Sequence, residues 1–172
     1  MQRNAIIGFL TAVLIGNLVL MLSQPRATRA HPDPADQRSG VERLVSRKVS
    51  SYPELTEAAA AAGLRFSRHF VGRVDGMMRI DEQHVTMNGW LADTDGDGKP
   101  LDVVVFVAGP VVATAPTQGE RPDVTEKVRL GFGAEKNVAF RVSFLCRAGD
   151  QPIVAGLGPK ERYVSLRSPP CP

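Results

Sequence analysis

Residues 138–145 alternate strictly: Val138, Phe140, Val142 and Phe144 are apolar and branched or aromatic, and Ala139, Arg141, Ser143 and Leu145 stand between them. A period of two fits a pleated strand with one face in a core and the other toward water. Leu101 to Val107 is rich in β-branched residues and bounded by Gly98-Lys99-Pro100 and Ala108-Gly109-Pro110, the signature of a central strand. Val85 to Asn88 forms another strand, and the apparent change of phase between Gly89 and Trp90 predicts a β-bulge at Gly89. Ile153 to Leu157 and Tyr163 to Leu166 complete a series of short strands separated by Gly, Pro and Asp. The expected fold is mainly β, an antiparallel sandwich.

A different pattern occupies the N-terminus. Ala5 to Leu22 is apolar except for Thr11 and Asn17, and it follows a short cationic start containing Arg3. At helical rise the run reaches about 27 Å, close to the hydrocarbon thickness of a bilayer. Two readings stay open. A retained anchor agrees with the length, and Gly8, Ala12 and Gly16 then form a small-residue face on which another helix can pack. A secretory signal agrees with Pro25 as helix breaker and with cleavage near Ala30 after Thr28-Arg29. Arg26 and Arg29 behind the run weaken any orientation drawn from flanking charge. The cysteines and the β-rich remainder favour export, with the domain facing the periplasm or exterior, either anchored or released as a soluble periplasmic or secreted protein.

The charge of the chain is unevenly placed. Residues 24–50 hold six Lys/Arg against three Asp/Glu, whereas residues 51–172 hold fourteen against fifteen. The basic character therefore belongs to the stretch after the apolar run, and no nucleic-acid footprint is expected. Residues 24–50 are proline-containing and poor in large apolar side chains, as in a flexible linker. A short helix follows. Ser51 and Glu54 are spaced as a capping box, Pro53 suits a first turn, Ala58 to Ala62 favours helix, and Gly63 is a C-terminal stop. Its small apolar area predicts a prop for the domain rather than a builder of its core. The expected organisation is a signal or anchor helix over 1–23, a linker over 24–50, a helical segment over 51–70 and a β-sandwich over 71–172.

Four elements of the β-region occur in a recognisable order: Asn88-Gly89-Trp90-Leu91-Ala92-Asp93, then Pro100 to Gly109, then Arg121-Pro122-Asp123-Val124, then Phe140 in a late strand. Over roughly residues 71 to 167 this resembles a small Ig-like β-sandwich module of bacterial exported and cell-surface proteins. In that module a G-W-A-x-D element precedes a P-I/L-x-V-x-V-x-V-x-G strand, an R-P-D-V loop and a G-F strand. Here Leu91 separates Trp90 from Ala92, and Ala139 replaces the Gly before Phe140. The resemblance implies a non-catalytic Ig-like sandwich and assigns no ligand to particular residues.

Candidate chemistry is sparse. Asp93, Asp95 and Asp97, with Gly98 after them, sit at the first acidic positions of a calcium loop, but the twelfth position, which needs a bidentate Glu, is Val104. Asp-Gly is also the ordinary hairpin dipeptide, so a solvated, metal-free turn is the expectation, with Ca²⁺ the alternative and no other cofactor indicated. Gly131-Phe132-Gly133 lacks the remainder of a phosphate loop, and His31, His69 and His84 lack ligand spacing. Trp90 is expected in the core, with a sugar-stacking platform as the alternative. No serine occupies a nucleophile elbow. In an oxidising compartment Cys146 and Cys171 would pin the C-terminal tail to the sheet for about 3–4 kcal/mol; facing the cytoplasm they would remain thiols.

The expected function is that of a non-catalytic binding or interaction module of the bacterial envelope, held at the membrane by its N-terminal helix. The alternatives are an accessory subunit of a larger membrane complex, with other envelope or membrane proteins as partners, and an envelope glycan hydrolase.

Overall fold

A computed structural model of the chain describes residues 40–96, 98–128 and 136–172. The expected N-terminal helix, with Gly8, Ala12 and Gly16, lies outside the described residues, as do Asp97 and Gly131-Phe132-Gly133. Among the described residues no helix is long and apolar enough to cross a membrane.

Among the described residues the chain is mainly β, with two sheets. After helices α1 (Gly40–Val45) and α2 (Tyr52–Ala61) come strands β1 (Arg65–Phe66), β2 (Phe70–Arg79), β3 (His84–Asp93), β4 (Asp102–Phe106) and β5 (Val111–Pro116). Helix α3 (Pro122–Thr125) then precedes β6 (Ala139–Leu145), β7 (Ile153–Gly158) and β8 (Arg162–Leu166). One sheet has the order β1-β8-β7-β4-β5 and the other β2-β3-β6. Every pairing is antiparallel except the two-residue pairing of β1 with β8.

The main core lies between the sheets. Phe140, Val142 and Phe144 of β6 meet Val103 and Val105 of β4, Val154 of β7 and Leu166 of β8. The period-two reading of 138–145 thus describes the inner face of β6, although Val138 itself joins a separate outer cluster. The apolar run Val103 to Phe106 of β4 has a different cause. Val103 and Val105 face the second sheet, and Val104 and Phe106 face the helices. A strand covered on both faces has no need of polar positions.

That second covering layer corrects the expectation for the helical segment. Leu55, Ala59 and Ala62 are fully buried with Val104, Phe106, Ile153 and Leu157, so α2 builds a core of its own. Small alanines contribute little area each, but they let a helix approach a sheet closely enough to seal it. The Ser51 cap and the Gly63 stop of α2 are those expected, while the return bond of Glu54 goes to Ser50 rather than to the N-cap Ser51. Ser51 Oγ accepts from Glu54 N at 3.3 Å, Glu54 Oε2 accepts from Ser50 N at 2.8 Å, and Gly63 follows the helix at φ 77°.

The folded part also begins earlier than the composition of 24–50 suggests. Residues 40–45 form α1; Leu44 and Val49 are fully buried, and Val49 N donates to Gly109 O at 2.6 Å. Arg43 donates through Nε and Nη2 to Ala62 O at 3.0 and 2.8 Å, joining α1 to the C-terminal end of α2, where a cation is favourable. Averaging over the proline-rich part of this stretch hides its few apolar residues, of which Leu44 and Val49 are buried.

The expected bulge is displaced onto the neighbouring strand. β3 runs without a break; Val85, Met87 and Leu91 point inward, and Trp90 points outward. The register of β2 shifts between Val74 and Gly76, so that Asp75 is the extra residue opposite Gly89 and Asn88. Gly89 is required for a steric reason. A Cβ there would lie 2.3 Å from Arg73 O and 2.5 Å from Phe140 Cζ.

Candidate functional site

The bulge at Asp75 and the Arg121-Pro122-Asp123-Val124 loop converge on Trp90. In the register of the three-stranded sheet, Trp90 lies between Arg73 of β2 and Ala139 of β6. Because Val85, Met87 and Leu91 occupy the inner face, alternation places the indole on the outer one. Trp90 is half-buried, packed on a small cluster of Ala92, Val124 and Val138. This corrects the expectation that it belongs to the inter-sheet core. Pro122 opens α3, and the single turn carries Val124 down onto this cluster while leaving Arg121 and Asp123 at the rim.

A connected set of charges borders the ring. Arg121 donates through Nε and Nη2 to the two oxygens of Asp123, both at 2.8 Å, and through Nη1 to Asp75 Oδ2 at 2.7 Å. Asp75 Oδ1 also accepts from Arg73 Nε at 3.3 Å. The planar fork on a carboxylate is a strong and directional pairing. Hydrogen bonds from Arg121 hold the Asp123 carboxyl down at about 2, and the same bonds to Asp123 and Asp75 hold the Arg121 guanidinium above its usual range. Trp90, Arg73, Asp75, Arg121, Asp123 and Lys127 line a cleft of about 200 Å³.

The acidic turn is differently arranged. Asp93 is buried, its Oδ2 accepts from Arg162 Nη2 at 2.5 Å, and its Oδ1 accepts from Asp95 N at 3.1 Å. The Arg162 guanidinium also stacks over the Phe70 ring, 4.7 Å from its centroid. Asp95 Oδ2 lies 2.8 Å from His69 Nδ1, and Thr94 donates to His69 O through N at 2.9 Å and Oγ1 at 3.1 Å. Two of the three aspartates singled out in the sequence are therefore joined to basic side chains of the protein itself. Among the described residues no group of three or more His, Cys, Asp or Glu side chains is placed to hold a metal ion.

Cys146 and Cys171 form a disulfide, with their Cα atoms 6.2 Å apart and both side chains buried. The tail it fixes is held further by Cys171 N donating to Asp150 O at 2.8 Å and by Arg79 Nε donating to Pro172 O at 3.1 Å. Cys146 borders a wider cavity of about 510 Å³ with Glu82, Gln83, Leu145, Arg147 and Asp150. At this end of the three-stranded sheet Met78, Ile80 and Leu145 are all exposed.

Sequence reading picked out Trp90 and the R-P-D-V loop but not their meeting. The i, i+2 spacing of Arg121 and Asp123 permits the fork, whereas nothing in the sequence marks Asp75 as their third partner. No protein-family model, curated protein or solved structure matches the chain.

Proposed function

We propose that this chain is a non-catalytic, Ig-like binding module of the bacterial envelope, exported and held at the membrane by its N-terminal helix, and that it binds through the cleft at Trp90. The observation carrying this reading is the outer face of the three-stranded sheet. An indole is fixed there by Val124 and Val138 and bordered by a hydrogen-bonded array of Arg73, Asp75, Arg121 and Asp123. A rigid aromatic side chain beside pre-positioned polar groups suits recognition, because little side-chain freedom remains to be lost on binding. The Cys146–Cys171 disulfide supports an oxidising location.

The test uses the full chain in a non-glycosidic detergent, passed over immobilised envelope fractions. Retention that falls at least tenfold in Trp90→Ala, with the envelope material chemically unchanged by mass spectrometry, supports the reading. Equal retention of both proteins refutes the site. Release of cleaved glycan fragments refutes the non-catalytic role in favour of hydrolysis.

A further inference from the structure

We propose that the Trp90 cleft binds a single neutral saccharide ring, stacked on the indole and hydrogen-bonded by the Asp75–Arg121–Asp123 array. The inference deepens the binding-module reading and rests on it. The first support is the pairing already made inside the cleft. Arg73 and Arg121 are bonded to Asp75 and Asp123, through contacts of 2.7–3.3 Å. A neutral polyol can add to them. Lys127 also lines the cleft and leaves it one positive charge over, so the phosphate titration below is the arm that tests for an anion held there.

The second support is spare hydrogen-bonding capacity. Each carboxylate offers about four lone-pair positions. Asp75 uses two of these, one for Arg73 and one for Arg121, and Asp123 uses two for Arg121. Arg121 has about two of its five N–H groups left after these three bonds. Acceptors and donors side by side suit adjacent ring hydroxyls, each of which both donates and accepts.

The third support is shape. The remaining requirement of a sugar ring is an apolar surface for its C–H face, and the half-buried Trp90 indole, packed on the Ala92, Val124 and Val138 cluster, lines the cleft. At about 200 Å³ the cleft is smaller than the range for drug-sized ligands, consistent with one ring.

Trp90 is the sole tryptophan, so its fluorescence reports on this cleft alone. Full-length protein in a non-glycosidic detergent is titrated with glucose, cellobiose and N,N′-diacetylchitobiose, and separately with glycerol, sodium phosphate and choline. The expected result is a saturable change in Trp90 emission with at least one saccharide and with none of the other three. Asp123→Ala, a substitution at an exposed side chain, should weaken that binding about tenfold or more while the thermal midpoint shows the variant folded. No saturable change with any of the three saccharides overturns the proposal, as does a response to glycerol, phosphate or choline, or saccharide binding unaltered by Asp123→Ala. If retention on envelope fractions remains dependent on Trp90 in those cases, the saccharide assignment alone falls and the binding-module reading stands.

Discussion

Leu44→Ala separates two descriptions of residues 40–50, as tether or as part of the folded domain. The Leu44 side chain is fully buried against the layer formed by α2 and the five-stranded sheet. Removing three carbons from a buried site costs about 2.4 kcal/mol in transfer alone. The unfilled cavity raises the total to roughly 2.7–5 kcal/mol. With a urea slope of about 2 kcal/mol/M, a loss of 3 kcal/mol lowers the midpoint by about 1.5 M. Leu145→Ala is the internal control, because that side chain is 56% exposed and its loss should change stability by no more than about 0.5 kcal/mol. Both variants are measured in the full-length protein by urea titration, following Trp90 emission. A Leu44→Ala midpoint indistinguishable from wild type would refute the assignment of α1 to the folded domain.

Three further outcomes are expected. Protein isolated without reductant should resist alkylation at Cys146 and Cys171, and reduction should destabilise it by about 3.5 kcal/mol for a sequence separation of 25; two thiols reactive before reduction would contradict this. The Asp123 carboxyl should titrate near 2 by carbon NMR and return toward its ordinary value in Arg121→Ala. Its depressed folded-state pKa means that the linked stability is present above the unfolded value near 4 and is lost as pH falls through about 2, so a flat acid limb between pH 4 and 2 in wild type would count against the fork. Millimolar calcium should leave the thermal midpoint where chelator leaves it, since Asp93 and Asp95 already contact Arg162 and His69; a rise of several degrees abolished by Asp95→Ala would make the turn a metal site.

Local patterns were legible where a single element determines them. The Ser51 cap, the Gly63 stop and the inward row Phe140-Val142-Phe144 follow from hydrogen bonding and periodicity within one segment. Gly89 stands out in the sequence as an interruption of its strand, which predicts a bulge in β3 itself. The cause lies across the ladder, where Arg73 O and the Phe140 ring leave no room for a Cβ. Similarly, β4 read correctly as a central strand, but its sequence did not say what covers its second face.

The sequence by itself determined that the chain after the N-terminal segments is mainly β, and it placed a helix before the strands. These are properties of spacing and of backbone preference, and they act over a few residues. Only the tertiary structure decided that α2 and Leu44 form a second core, that Trp90 points out of the sandwich, and that Asp75 meets Arg121 and Asp123 beside it. Asp75 and Arg121 are 46 residues apart and share no periodic relation. Their contact exists because a bulge in β2 and the start of a one-turn helix reach the same cleft beside Trp90. A pairing that depends on the register of β2 against β3, and on a loop packed by Val124, has no signature in either segment alone.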